Sequence, residues 1–156
     1  MGIEIERKYL VAGDDWRAQA SQATHFSQGY LSRDPARTVR VRIAGPQAFL
    51  TIKGATTGAT RAEFEYAVPV DDARQLLGMS DGPVVEKIRH LCVVDGMTWE
   101  VDEFLGAHAG LLLAEIELKS EDQAFTRPAW LGEDVTGDAR YVNANLAVRP
   151  FTTWGR

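Results

Sequence analysis

The chain has 156 residues, enough for one domain with a modest core and too few for two. Hydrophobic residues make up 45% and charged residues 25%, and 22 acidic against 17 basic side chains leave a net charge of −5. That balance argues against nonspecific binding to nucleic acid or an anionic membrane. The single cysteine, Cys92, excludes an internal disulfide framework and a cysteine-rich zinc site. His25, His90 and His108 have no ligand spacing. No apolar run approaches the roughly 20 residues that cross a bilayer, and the start Met1-Gly2-Ile3-Glu4 lacks the pattern of a secretory signal. A cytoplasmic, single-domain protein over residues 1–156 is expected.

In chain order, the dominant signal is period-2 alternation, which marks strands. It runs through Ile3–Val11, then His25–Ser32, which stops at the turn signal Arg33-Asp34-Pro35. Thr38–Ile43 and Ala48–Lys53 flank Gly45-Pro46 as a hairpin, and Arg61–Val70 follows a Gly/Thr loop. Val84–Val94 and Met97–Leu105 flank Asp95-Gly96, the strongest hairpin signal present, and Leu111–Lys119 is the last long strand. Short helices are predicted at Asp14–Ala20 and Asp71–Met79, which open on capping aspartates, and at Pro128–Leu131 and Tyr141–Ala147. The fold class is mainly β (α+β). About eight hairpin-linked antiparallel strands suggest a sheet closed into a barrel, because closure removes exposed edges.

Side chains two apart on a strand share a face. One face therefore carries Glu4, Glu6 and Lys8; Arg40 and Arg42; Glu63 and Glu65; Lys87 and Arg89; Glu100 and Asp102; and Glu115 and Glu117. A water-exposed sheet face usually mixes Thr, Ser, Gln, Lys and Glu, whereas this one is almost wholly charged and sorted by sign from strand to strand. Adjacent carboxylates repel unless a cation lies between them. Hard divalent ions such as Mg²⁺ take carboxylate oxygens and share their site with phosphates. Arg and Lys converging on the same space would neutralise a strongly anionic ligand. Such a face suits a metal–polyphosphate complex.

Glu4-Ile5-Glu6-Arg7-Lys8 resembles the Glu-x-Glu-x-Lys opening of the CYTH family, the triphosphate tunnel metalloenzymes. Arg40-Val41-Arg42, Thr51-Ile52-Lys53, Glu63-Phe64-Glu65, Glu86-Lys87-Ile88-Arg89, Trp99–Phe104 and Ala114–Leu118 follow in the family's order, so the likeness covers roughly positions 2 to 148. The resemblance implies an eight-stranded antiparallel tunnel and a metal-dependent triphosphatase, with Mg²⁺ or Mn²⁺. It implies Glu4, Glu6, Asp102, Glu115 and Glu117 at the metal. Lys8, Arg40, Arg42, Lys53, Lys87, Arg89 and Tyr30 fall to the phosphates, with Glu63 and Glu65 supporting the cations. Lys8, Lys87, Glu63, Glu65 and the metal set together form the expected catalytic group.

Inorganic tripolyphosphate is the preferred substrate, because the charged face offers no aromatic platform for a base. Cyclisation of ATP by an adenylyl cyclase of the same family, and hydrolysis of nucleoside or thiamine triphosphate, are the enzymatic alternatives. A non-catalytic polyphosphate-binding module is the alternative of another class. The expected partner is a small triphosphate rather than nucleic acid or a membrane, with the chain a monomer or homodimer. Trp16, Trp99, Trp130 and Trp154 are expected to pack, and the tail Asp134-Val135-Thr136 with Tyr141-Val142-Asn143 to cap the tunnel end.

Overall fold

The structure, a computed structural model, describes residues 2–146 and 149–154. Eight antiparallel strands form the wall: β1 (Gly2–Val11), β2 (Ala20–Ser32), β3 (Arg37–Ala44), β4 (Gln47–Gly54), β5 (Thr60–Ala67), β6 (Val85–Val94), β7 (Met97–Phe104) and β8 (Leu112–Glu117). They neighbour one another in the order β5-β4-β3-β2-β6-β7-β8-β1, and a further β1–β5 pairing closes the sheet. β1 makes the closure by dividing its length: Gly2–Ile5 pairs with β5 and Glu6–Leu10 with β8. A closed antiparallel barrel with few helices is the fold that the alternation predicted. At the β6–β7 hairpin both turn residues take positive φ, 49° at Asp95 and 78° at Gly96, the backbone that a two-residue turn between twisted strands requires.

Two elements differ from expectation. Pro128–Leu131 closes a single turn, Leu131 N donating to Pro128 O at 3.0 Å, but does not continue as a helix; a ninth strand, β9 (Leu131–Asp134), runs on from it along β1. Ala12 N donates to Trp130 O at 2.8 Å, and the buried Trp130 ring fixes the segment against the wall. Gly132 lies so near β1 that a methyl there would come within 2.9 Å of the Leu10 carbonyl oxygen. Long-range pairing thus overrides the local signal. β2 also begins five residues early, because Ala20–Thr24 pairs with β6 although its side chains do not alternate in character. The other predicted helices are found shortened: a 3₁₀ turn over Asp15–Gln19, α1 (Val70–Leu77), and a 3₁₀ turn at Ala139–Tyr141 followed by α2 (Asn143–Leu146). Ala147, the last residue of the fourth prediction, lies outside the described residues.

The layering is inverted relative to most small barrels. The main apolar cluster sits on the outside of β1, β6, β7 and β8, where Tyr9, Cys92, Trp99, Val101, Ala114 and Ile116 pack under Trp16, Leu118 and Trp130. Edge-to-face rings bind this skin together, Tyr9 on Trp99 at 5.8 Å and Trp99 on Trp130 at 5.9 Å between centroids. On the opposite flank α1 lays Ala73 on Val41 and Ala48. Inside, only one end of the bore is apolar: Val85, Phe104 and Leu113 meet Val135, Tyr141 and Leu146 from the C-terminal segment. The remaining interior is dominated by charged side chains, with Phe26, Gln28, Tyr30 and Thr51 among them.

Candidate functional site

Strand register decides which interior side chains become neighbours. Around the wall the facing pairs are Glu4–Arg61, Lys53–Glu63, Thr51–Glu65 and Arg40–Thr51. They continue as Tyr30–Arg40, Gln28–Arg42 and Phe26–Lys87, then Arg89–Asp102, Glu100–Glu115, Lys8–Glu115 and Glu6–Glu117. Read in barrel order, the interior splits into two halves. Glutamates come from β7, β8, β1 and β5, which are consecutive neighbours, whereas Arg40, Arg42, Lys53, Lys87 and Arg89 come from the β4-β3-β2-β6 side. Lys8 on β1 and Arg61 on β5 are the exceptions, each a single cation inside the acidic half.

Both halves face one cavity of about 550 Å³. Glu4, Glu6, Lys8, Tyr30, Arg40, Arg42, Lys53, Glu63, Glu65, Arg89, Glu115 and Glu117 all line it. Lys87 and Asp102 do not; both are fully buried in the wall behind it. There Lys87 Nζ donates to Asp102 at 2.6 Å, and Arg89 forks onto the same carboxylate at 2.8 and 2.9 Å. The side chains absent from the expected set are Glu100 and Arg61, with Gln28 and Asn143 from the tail. Glu100 and Arg61 were in reach of sequence reasoning, since each continues the inward alternation of its strand. Gln28 and Asn143 carry no charge to mark them. Gln28 is fully buried, accepts from Arg42 Nε at 2.9 Å and donates to Asn143 at 3.3 Å. The tail segment Val135–Ala139 with Val142–Ala144 lines the inner end of the cavity, and Lys8 Nζ donates to Tyr141 O at 3.0 Å.

The ionisation states follow from this crowding. Glu4 accepts from Lys53 Nζ at 3.0 and 3.1 Å and from Arg61 Nε at 3.1 Å. Burial would raise its pKa, but Lys53 and Arg61 outweigh that and hold it below the ordinary value. Glu6 is pushed well above the usual carboxylate range by burial and by Glu115 and Glu4 nearby. Glu115, bonded to it, stays well below: burial opposes ionisation, and Lys8, the bond from Glu6, Arg89 and Lys87 overcome it. Glu100 is raised by burial despite Arg89. On the basic half burial lowers Lys87 to about 7, against the pull of Asp102, and lowers Arg42 to about 9 with help from Arg40 and Arg89. Arg40 Nε is buried without a hydrogen-bond partner among the described residues. These are cations short of anions, which is the condition of a site that recovers its desolvation cost when a polyanion enters.

The acidic half suits a hard cation by the chemistry of its donors. Glu6 faces Glu117 and Glu100 faces Glu115, two like-charged cross-strand pairs that cost stability unless a cation relieves them. Among the described residues, no three acidic, histidine or cysteine side chains are gathered closely enough to hold an ion as they stand. Glu4 and Glu115 are instead engaged by Lys53, Arg61 and Arg89.

The cavity's outer rim includes Thr56, Gly58 and Ala59 from the β4–β5 loop. Glu121 holds this loop by accepting from Thr60 Oγ1 at 2.6 Å and from Ala59 N at 3.3 Å. Gly58 has φ +62°, and a methyl there would lie 2.8 Å from both Glu121 oxygens. Gly58→Ala is expected to cost about 1–2 kcal/mol through left-handed strain and displacement of that carboxylate. Urea unfolding would measure it; an unchanged midpoint would mean that the loop relaxes freely.

The fold and bore define a class: a closed antiparallel barrel whose interior sets an acidic half against a basic half around one cavity. The chain belongs to the CYTH domain family, which it matches over residues 2–150. It is 45% identical over 152 residues to an inorganic triphosphatase of Acetivibrio thermocellus, covering 97% of each chain. It is 39% identical to an inorganic triphosphatase of Nitrosomonas europaea, covering 93% of this chain and 97% of that one. A crystal structure of an inorganic triphosphatase superposes with a TM-score of 0.66 at 38% identity, over 93% of this chain and 94% of that one. A Pyrococcus horikoshii protein at 19% identity, with a TM-score of 0.57 over 76% of this chain and 80% of that one, shares the fold alone. No helix among the described residues is long and apolar enough to cross a membrane.

Proposed function

We propose that the protein is an inorganic triphosphatase, splitting tripolyphosphate into phosphate and diphosphate. The observation that carries this is the division of one cavity into facing acidic and basic halves, in a chain 45% identical to a relative of that name. Arg40, Arg42, Lys53 and Arg89, with Lys8 from the opposite wall, bind the phosphate oxygens. Lys87 adds its charge from behind the wall. Glu4, Glu6, Glu115 and Glu117 would hold Mg²⁺ or Mn²⁺, and Glu63 and Glu65 orient Lys53 and Arg40, to which they are paired at 3.3 and 3.7 Å. A divalent ion so held supplies charge neutralisation on the phosphate oxygens and a bound water of lowered pKa. Asp102 could reach an ion only by leaving Lys87 and Arg89, so its role is to fix those two cations. Diphosphate leaves as the basic half takes up its charge, and catalysis of this kind is mostly positioning and electrostatics. Lys8 and the acidic wall keep the chain oriented with its terminal phosphorus toward the carboxylates.

The interior aromatic rings favour an inorganic substrate over ATP. Phe26 has Arg42 and Arg89 over its ring at 4.6 and 4.9 Å and does not line the cavity, which among the described residues leaves the largely buried Tyr30 as the one aromatic side chain on its wall. The reading places the enzyme in the cytoplasm, where Cys92 stays reduced. The test is incubation with tripolyphosphate, ATP and thiamine triphosphate, each with Mg²⁺, Mn²⁺ or chelator, while phosphate, diphosphate and cyclic AMP are followed separately. Equal phosphate and diphosphate from tripolyphosphate, abolished by chelator, is expected. Cyclic AMP with diphosphate from ATP would identify a cyclase instead, and tight binding without turnover a polyphosphate-binding module.

A further inference from the structure

We propose that Phe26 is a positioning residue whose ring gathers three of the phosphate-binding cations, an inference that rests on the phosphate-binding role given above to the basic half. Phe26 projects inward from β2, where it faces Lys87 on β6 and Ala44 on β3. Ala44 is too small to fill the space beside it, so the ring occupies the gap between two cation-bearing strands. The Arg42 guanidinium lies 4.6 Å from the ring centroid, that of Arg89 4.9 Å, and Lys87 Nζ 5.9 Å. All three distances are within the range at which the negative face of an aromatic ring attracts a cation.

The cations come from two strands, Arg42 from β3 and Lys87 and Arg89 from β6, and repel one another: Arg42 and Arg89 each disfavour the charge on Lys87. An aliphatic side chain at position 26 would fill the volume but offer no attraction. Other partners hold these groups at their far sides, Asp102 behind Arg89 and Lys87, and Gln28 behind Arg42. Lys87 also lies 5.3 Å over Phe104, and Asp102 attracts all three cations from behind, so the Phe26 ring is their shared neighbour on the other side. With it the positive charge is concentrated before the anion arrives. Without it the cations would relax apart, Arg89 toward Glu100 and Glu115, which already lie at 3.1 and 3.6 Å. Part of the binding energy would then be spent on reassembling them.

The test separates the ring's electrons from its volume. Phe26 is replaced by trifluorinated phenylalanine, which keeps the shape and weakens the negative face, and in parallel by Phe26→Leu and Phe26→Tyr. Tripolyphosphate affinity is measured by calorimetry in chelator, and KM and kcat in the presence of metal. The fluorinated protein and Phe26→Leu are expected to bind tripolyphosphate roughly tenfold more weakly, with a matching rise in KM. Phe26→Tyr is expected to stay within about twofold of the parent. Unchanged affinity in the fluorinated protein overturns the proposal, whatever Phe26→Leu does to folding, because it reduces the ring to a space-filler. Turnover of the unsubstituted protein judges the triphosphatase reading separately. Binding without turnover defeats that reading and leaves the ring's role decided by the affinities; absence of binding defeats both.

Discussion

Glu6→Gln is expected to lower triphosphatase turnover by at least about 100-fold while making the metal-free protein more stable. The loss follows from removing one ligand charge where a developing anion is stabilised. The gain follows from the wall itself: Glu6 is buried, faces Glu117, is bonded to Glu115 and lies near Glu4, and together these outweigh the pull of Lys53 and resist its ionisation. Its folded pKa is raised, so between the ordinary carboxylate range and the raised value the native chain binds more protons than the unfolded one. Stability therefore falls as pH rises through that window. A glutamine has no proton to lose and can still donate to Glu115, so the slope flattens, and removing one like-charged contact is worth up to about 1 kcal/mol. Melting curves in chelator across pH 5–9 should show the variant higher and flatter, by roughly 2–4 °C at the alkaline end. In the parent, a divalent ion is expected to remove the alkaline penalty, because metal and proton compete for the same oxygens. Retained turnover, or an unaltered pH slope, would remove Glu6 from the metal set.

Asp102→Ala is expected to cause the largest loss of stability of any single interior change, about 3 kcal/mol, or a fall of roughly 10 °C in Tm for a chain of this size. Asp102 is fully buried and accepts from both Lys87 and Arg89. With the carboxylate gone, Lys87, already lowered to about 7 by burial, sheds its proton near neutrality. Arg89 has no such escape and keeps a buried charge with only Glu100 and Glu115 beside it. The pKa of Asp102 is lowered: burial raises it, but Arg89 and then Lys87 outweigh that. Its stabilisation is thus present above the ordinary aspartate value and lost as pH falls through the folded one, so parent and variant should converge in acid. The deciding measurement is Tm in chelator at neutral pH. A carboxylate serving only a metal would leave that Tm unchanged; a carboxylate holding two cations would not.

Much of this was legible in the residues because alternation in a strand leaves a periodic trace. Glu4-Ile5-Glu6 and Arg40-Val41-Arg42 announce both a strand and a charged face, and register then needed only to bring those faces together. What stayed hidden depends on distance along the chain. Whether Asp102 points at an ion or at Lys87 is settled by a pairing across the β6–β7 hairpin, not by the spacing of either residue. The aromatic Phe26 gives no sign that it lies beneath three cations, since Arg42 and Arg89 reach it from other strands. Leu131–Asp134 is too short to show a period, and its partner strand lies some 120 positions earlier.

The apolar skin around the barrel has a consequence for how such a protein can change. Tyr9, Trp99, Val101 and Ile116 hold the wall from outside, while the side chains that line the cavity alternate with them along the same strands. Each strand is thus written in two interleaved scripts, odd positions for cohesion and even positions for chemistry, or the reverse. Substitutions in one script leave the other physically untouched, because the backbone separates them. A lineage could therefore exchange the contents of the bore, and with them the ligand, while retaining every contact that keeps the barrel closed.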